Sequence, residues 1–551
     1  MQSDYNFSSP DGGKTWTRKT FGVEQLVAVM SSKTPGFGSL TGGYVVAFPH
    51  AVSAEALRRP LEAAWIRLRK IAPVVAYKTK DTKNPEYSLY LEYTVPADAK
   101  TAQKWAEETI HWHKDKMSIR ERDIAMKNNW WPAAEGHYNY ELHIAPDVED
   151  GKWQIMMNSA HWSSDVRGTL QLSELLFTYL NEYMVQDPPA VPSLNIKWGS
   201  ETAKLTPPGV VAAAIASGLP MSTLFPKLAP KSHDEPMDSQ ADAPSTTTEV
   251  EVEQKSEAAP ETAPPAGPVL FFRPTPVVDA EPKYDARACD IWLTAEESAK
   301  FRNACRAHKV TVTQAITALM AVAEVEWVLK FTQGGTEEER KQTIETFENA
   351  THIISAWNVV DQRYKLKDYA RHDSVKGSPP FSAEGFPLMI DMATVREAVK
   401  YNKTTGEVER DTSAAVFWDV VARMCQDLWH SSDSDLPAYM QRELMCQAYS
   451  KIYDPTSYMI PLLMSSSVGD IEKLGLLTAF SPAVPSNAAK RLLIEQVSVS
   501  VRCPTPAKMV LAWQWNKRLL IRPQTAARWT SEKGMQEMGQ VMKSWIDATC
   551  Q

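Results

Sequence analysis

The stretch from Leu142 to Phe177, LHIAPDVEDGKWQIMMNSAHWSSDVRGTLQLSELLF, lays out strand, turn, strand and helix in that order. Tyr138, Tyr140, Leu142 and Ile144 alternate with Asn139, Glu141, His143 and Ala145, the period-two pattern of a half-buried strand. The turn-forming run Pro146 to Gly151 then leads into a second alternation, Trp153, Ile155 and Met157, so the two strands are expected to pair as a hairpin. Leu170, Leu172, Leu175, Leu176, Tyr179 and Leu180 follow at helical spacing. The polar cluster Asn158 to Asp165 therefore sits where a strand hands over to a helix. Within it, His161 and Asp165 are the candidates for chemistry. A neutral imidazole at a strand end suits removal of a proton from an attacking hydroxyl or amine. The Asp four residues on can brace the turn, by accepting backbone N–H groups or by pairing with an arginine. H-x-x-x-D alone recurs by chance, and its placement is what gives it weight.

Outward from this unit, Leu40 to Phe48 reads as a strand, and Ser53 to Ile71 carries Leu57, Leu61, Ala64, Trp65 and Leu68 on one helical face. Thr294 to Glu297 forms a capping box, and Val312 to Lys330 is an Ala-rich helix apolar enough to be buried on most sides. His352 to Val360, Val497 to Val501 and Met509 to Ile521 are strand candidates. Thr530 is the expected N-cap of a last helix that presents Met535, Met538, Met542, Trp545 and Ile546 on one face. Both halves of the chain thus read as mixed α/β, each a sheet with covering helices.

The 551 residues, 43% apolar and 23% charged, exclude a wholly disordered, fibrous or collagen-like chain. The net charge is −8. Lys231 to Gly267, however, holds nine acidic residues against two lysines, with five prolines and no aromatic residue. Such a segment cannot bury enough apolar surface to offset its ordering entropy, and it reads as an acidic, proline-stiffened linker. It carries −7 of the −8, which leaves −1 for the folded parts. Net charge therefore says little about partners, and the absence of nucleic-acid motifs is what argues against that class. The expected division is residues 1–230, the linker 231–267, and residues 268–551. The six cysteines (Cys289, Cys305, Cys425, Cys446, Cys503, Cys550) lack C-x-x-C spacing, which fits a reducing compartment. Met1 to Asn6 is polar, and the most apolar run, Val210 to Met221, is broken by Ser217, Gly218 and Pro220. A soluble cytoplasmic protein with no membrane partner is expected.

The Leu142–Phe177 string resembles the region around the H-x-x-x-D-G motif of the BAHD and condensation-domain acyltransferase superfamily, in particular the acyltransferase-like proteins of fungal secondary metabolism. Other stretches agree in order: LEAAWIRLRKIAPVVA (61–76), WGSETAKLTPP (198–208), VTVTQAITALMAVAEV (310–325), ISAWNVVDQRYKL (354–366) and SSVGDIEKL (466–474). The resemblance implies two chloramphenicol-acetyltransferase-like domains with a tunnel between them. It implies His161 as the general base that deprotonates an acceptor hydroxyl or amine, and Asp165 in a structural role that fixes the loop. It implies an acyl-CoA or an acyl carrier domain as donor, a small-molecule acceptor, no tightly bound cofactor, no metal and a monomeric chain. No oxyanion donor and no substrate-binding or CoA-binding residue is assigned.

Three positions depart from the family pattern. Val166 stands where the motif glycine is usual, so either the turn is reshaped or no positive φ is needed there. Ala160 precedes His161, so the double His of peptide-forming condensation domains is missing. No D-F-G-W-G string occurs. Two alternatives to acyl transfer follow: a condensation-like cyclase or pericyclic catalyst working on a single substrate without CoA, and a non-catalytic binding protein.

The remaining conspicuous residues receive plainer readings. His111 and His113 share a face if they lie on a strand, but with no further ligand cluster near them in the chain they read as solvated or stacked histidines. Asn129-Trp130-Trp131, like the other tryptophans, fits core packing better than a tunnel wall. Arg363 either pairs with Asp165 across the domains or ends a surface strand. The charged run Glu338 to Lys341 is a solvated helix face. No P-loop and no G-x-S-x-G elbow is present, which argues against P-loop nucleotide binding and α/β-hydrolase chemistry.

Overall fold

The computed structural model describes residues 5–218 (without 35, 85–86, 132, 134, 185–190 and 192–193), 269–271, 284–366, and 381–550 (without 433–434, 456–461 and 485–491). The acidic segment Lys231 to Gly267 lies outside the described residues.

The first half builds two sheets. β1 (Thr15–Lys19), β3 (Lys78–Asn84), β4 (Tyr87–Thr94) and β6 (Glu135–Tyr138) form a four-stranded sheet in the order β1-β4-β3-β6. β2 (Ser39–Ala47), β5 (Ile110–Trp112), β7 (Tyr140–Pro146) and β8 (Lys152–Ala160) belong to a five-stranded sheet. β7 and β8 pair antiparallel from Tyr140↔Ser159 to Pro146↔Trp153, the hairpin the alternation predicts. β8 also pairs with β2, and β5 lies parallel to β7 at the edge. Alternation along β2 sends Tyr44 to one face, where it bonds Ser173 of the helix α5 (Val166–Met184) at 2.8 Å. Val45 goes to the other face, against Ile119 and Met126 of α4 (Ile119–Asn128). α2 (Ala54–Ile71) packs on α5, and α3 (Ala99–Thr109) packs on α2.

The second half forms a seven-stranded sheet from β9 (Ala286–Ala288), β10 (Ile291–Trp292), β11 (His352–Asp361), β12 (Ala383–Asp391), β15 (Leu463–Asp470), β17 (Lys508–Trp515) and β18 (Arg518–Ala526). Its order is β10-β18-β17-β15-β11-β12, with β9 on β18, and β13 (Val399–Tyr401) and β14 (Val408–Arg410) make a separate hairpin. The Val312–Thr332 helix is long and apolar enough to cross a membrane by length and composition, but 89% of its most apolar window is buried inside this lobe. It packs against the C-terminal helix Glu532–Thr549.

Three local readings shift. Met509 to Ile521 is two strands, because Asn516 and Lys517 both take positive φ (49° and 65°) and reverse the chain in a tight hairpin turn. The last helix is capped by Ser531, whose side chain accepts from the Gly534 N–H. The strand read at Val497–Val501, β16 (Leu493–Val501), begins before Val497 and joins the five-stranded sheet of the first half, antiparallel to β2 from Leu493↔Ala47 to Val501↔Leu40. The chain therefore crosses between lobes twice after β15, once to supply β16 and once to return to β17. The six cysteines are free thiols.

Candidate active site

β8 ends at Ala160, and the chain turns through His161 to Ser164 before α5 begins at Val166. Asp165 caps that helix: its Oδ1 accepts the Gly168 N–H at 2.9 Å and its carbonyl accepts the Thr169 N–H. An aspartate is favoured there because its carboxylate satisfies an otherwise orphaned donor and lies at the positive end of the helix dipole. Val166 is the first helical residue and has ordinary negative φ, so no glycine is required at this position. The turn instead draws its glycine from β2's approach. Gly38, at φ +78°, accepts the His161 N–H on its carbonyl at 3.0 Å and donates to the Arg502 carbonyl at 2.9 Å. A Cβ on Gly38 would lie 2.9 Å from Val27 Cγ1 and 3.2 Å from His161 Cβ.

The His161 ring lies 2.8 Å from the Ser164 carbonyl through Nδ1. A carbonyl only accepts, so Nδ1 carries the proton and Nε2 keeps its lone pair. The edge of Phe381 meets the ring at 5.6 Å between centroids. Burial, ahead of the opposing pull of the Ser164 carbonyl and Asp165, lowers the imidazole pKa below its ordinary value, so the ring is neutral at pH 7.

Asp165 is the centre of a buried ionic chain between the halves. Arg363 Nη2 donates to both of its oxygens at 2.9 Å, and the Ser382 N–H donates to Oδ2 at 3.0 Å. Burial raises the carboxyl pKa, but Arg363 and the two backbone N–H groups outweigh it and hold the pKa below the usual carboxylate value. Arg363 Nη1 continues to Asp361 Oδ1 at 2.9 Å, and Asp361 Oδ2 accepts from Arg167 at 2.6 Å. Of the two readings of Arg363, the structure realises the ion pair. Asp165 and Arg167, from the start of α5, thus grip Asp361 and Arg363 at the end of β11.

His161 and Asp165 line a cavity of about 470 Å³ between the lobes. Its apolar wall includes Met30, Phe37, Phe381, Leu462, Met464 and Met509. Trp357 and Trp429 line it, whereas Trp130 and Trp131 do not. Trp357 stands at an irregularity in β11, where the register with β12 shifts between Ser355 and Asn358. Such a bulge turns a side chain that regular alternation would place elsewhere, and Gly385 leaves room for the indole. Thr311, Gln314, Ser466, Ser467 and Thr505 add polar atoms to the wall. Sequence reading assigned none of these residues. The available pointers are the quoted stretches 310–325, which holds Thr311 and Gln314, 354–366, which holds Trp357, and 466–474, which holds Ser466 and Ser467. Lys127, fully buried behind β2, bonds the Ser39 carbonyl at 3.1 Å and the Thr41 hydroxyl, and burial pushes its pKa down to about 7. His111 stands on β5 and His113 one residue past it, both outside the cavity, with Glu141 and His143 of β7 beside them. Spacing along the chain does not reveal that pairing.

No family model matches this chain, and no curated protein sequence matches it. Solved structures do. The trichothecene 15-O-acetyltransferase TRI3 from Fusarium sporotrichioides superposes with a TM-score of 0.68 at 14% identity, over 100% of this chain and 98% of that one. The condensation domain of the Monacolin K polyketide synthase MokA superposes with a TM-score of 0.50 at 10% identity, over 99% and 97%. The fold is that of the two-lobed acyltransferases and condensation domains. The cavity beside His161 lies between the two lobes, as the resemblance read from the sequence implies.

Proposed function

We propose that the protein is an acyltransferase that moves an acyl group from a thioester, carried by CoA or by an acyl carrier domain, to a hydroxyl or amine of a small secondary metabolite. The observation that carries this reading is the state of His161. Its Nδ1 is committed to the Ser164 carbonyl, so Nε2 is the basic nitrogen of a neutral ring that lines a cavity of small-molecule size. Nε2 takes the proton from the acceptor O–H or N–H as that atom attacks the thioester carbonyl. The tetrahedral adduct then collapses by breaking the C–S bond, and the imidazolium returns the proton to the departing sulfur, which leaves as a thiol. The base contributes roughly 10²- to 10⁴-fold, and holding acceptor and thioester together supplies much of the rest. The largely apolar wall favours an apolar acceptor. The likeness to TRI3 and to the MokA condensation domain supports the reaction class, the thioester donor rests on the family resemblance of the sequence, and the apolar acceptor rests on the cavity wall.

The test is to incubate the full chain with a panel of acyl-CoA donors and hydroxylated acceptors and to follow free thiol and acylated product together. His161→Ala is expected to lose about 10²- to 10⁴-fold in kcat. Undiminished transfer by His161→Ala would refute the base assignment. Turnover of an acceptor without any thioester would replace acyl transfer with single-substrate chemistry.

A further inference from the structure

His111 of β5, His113 just past its end, and Glu141 and His143 of β7 gather at the edge of the five-stranded sheet. β5 and β7 are paired in parallel with His111 opposite His143. Residues two apart on a strand share a face, so Glu141 joins them, and His113, one residue past β5, meets His143. The face is the one covered by α4, since His143 lies opposite Met156, which packs on Ile119 and Met126. None of the four lines the cavity at His161.

The nitrogens converge. His111 Nε2 lies 3.4 Å and His143 Nε2 3.5 Å from the same oxygen of Glu141, Oε2. All three ligand atoms lie within 4.8 Å of one another. Ligand atoms around a tetrahedral zinc ion at about 2.0–2.1 Å stand about 3.3–3.4 Å apart, close to the two nitrogen–oxygen separations. His111 and His143 Nε2 are both buried atoms whose only close polar neighbour among the described residues, Glu141 Oε2, stands at or beyond the outer limit of a hydrogen bond, and the His143 side chain is only 5% exposed. A buried imidazole nitrogen so weakly satisfied is costly in a folded protein unless something else binds it. His143 is also oriented: its Nδ1 lies 3.0 Å from His113 Nε2, which fixes the ring and leaves Nε2 to point at Glu141. Metal-bound histidines commonly use their second nitrogen in this way. Two imidazoles and one carboxylate make a donor set suited to a dication. The nearby cation, Arg122, is paired with Asp115 at 3.0 Å.

The geometry points to a divalent transition-metal site, of zinc type, formed by His111 Nε2, Glu141 Oε2 and His143 Nε2, with His113 as the positioning residue behind His143 and a fourth position open to water. Imidazole and carboxylate donors without a thiolate select a zinc-like ion over calcium or magnesium. The His111 side chain is 40% exposed, so the ion has an entry path and His111 has room to adjust to it. Bound there, the ion links the three-residue edge strand β5 to β7, and the site stands independently of the acyl-transfer reading.

The test uses the full chain, stripped with a chelator and titrated with Zn²⁺ against a chromophoric competitor, with Co²⁺ as the spectroscopic probe. One ion per chain is expected, with visible Co²⁺ bands of four-coordinate nitrogen and oxygen ligation and a rise in Tm on Zn²⁺ addition. His111→Ala and Glu141→Gln change partly exposed groups and should fold. Each should weaken binding at least about tenfold and abolish the Tm rise, and His113→Ala should weaken it less. His143→Gln tests the buried ligand, with its circular dichroism checked first. Absence of stoichiometric binding, or binding equally tight in His111→Ala/Glu141→Gln, would overturn the site and leave Glu141 as a counter-ion between two imidazoles.

Discussion

Removing Arg363 tests whether Asp165 is a structural bolt or a participant in proton transfer. Asp165 is 4% exposed and accepts from Arg363 Nη2 on both oxygens, from Gly168 N–H and from Ser382 N–H. Arg363→Met leaves that carboxylate buried with two neutral donors and no cation. Breaking one side of a buried pair costs about 3–5 kcal/mol. Asp165→Asn leaves Arg363 with Asp361 as counter-ion at 2.9 Å, so its cost should fall at the lower end, about 3 kcal/mol. Asp165→Leu/Arg363→Met replaces both partners with apolar groups and should lose less than Asp165→Leu and Arg363→Met measured singly and summed, with a coupling energy of about 1–3 kcal/mol. Urea unfolding followed by tryptophan fluorescence and circular dichroism measures this, provided the two transitions coincide. The pH dependence supplies a second readout. The folded Asp165 pKa is depressed, so its contribution to stability is present above the unfolded value of about 3.9 and is lost as pH falls through the folded value. Without Arg363, burial dominates and the pKa rises, so Arg363→Met should lose more stability with rising pH than the wild type does. Additive single changes would refute the bolt. So would an Asp165→Asn variant that keeps full stability yet shifts the acid limb of the pH–rate profile, because that would place Asp165 in the proton path.

Three other outcomes follow from the same geometry. The His161 pKa is lowered, so kcat/KM for acyl transfer should rise with pH along an acid limb whose midpoint lies below 6.5 and be flat through pH 7; a midpoint above 6.5 would contradict a buried neutral base. Gly38→Ala should cost roughly 1–2 kcal/mol for positive φ alone, with further loss from the contacts at Val27 and His161, and activity should fall with stability because the Gly38 carbonyl anchors His161; the urea midpoint and kcat report the two losses. Glu443, fully buried on the Leu436–Ile452 helix, is raised to about 8, by burial first and then by Glu24 and Glu384, with the Val23 N–H opposing. Its folded pKa exceeds its unfolded one, so its stabilising contribution is complete below about pH 4.5 and lost as pH rises through 8. Glu443→Gln should flatten that decline, by a few kcal/mol at about 1.4 per unit, in Tm measured from pH 5 to 8.5.

What could be read from the chain was local. The β7–β8 alternation, the handover at His161, the capping box at Thr294 and the buried Val312 helix all depend on neighbours within one or two turns, and the structure places each of them as the pattern implies. The turn at Asn516-Lys517 was missed because neither residue is glycine, and both nonetheless take positive φ. Arg363 stayed undecided because 198 residues separate it from Asp165, and only the packing of α5 on the end of β11 brings them together. The β5–β7 cluster was invisible for the same reason: Glu141 and His143 were read as the outward positions of one strand, and nothing in their spacing names β5 as neighbour. Trp357 enters the cavity through a strand irregularity that no periodicity predicts.

The placement of β16 bears on how the chain is made and how it can be cut. Without Leu493–Val501, β2 becomes an outer strand with its Ser39–Ala47 backbone unpaired on one side. Its sequence, SLTGGYVVA, carries no charge to discourage pairing with another chain. A nascent chain that has emerged only as far as the acidic segment therefore holds an unfinished sheet, whose last strand arrives some 230 residues later. A fragment of residues 1–230 made alone should aggregate, and co-expression with 268–551 should rescue it by donating β16 in trans, in the manner of a split reporter. Soluble, monomeric 1–230 on gel filtration would show that the first lobe does not depend on the borrowed strand.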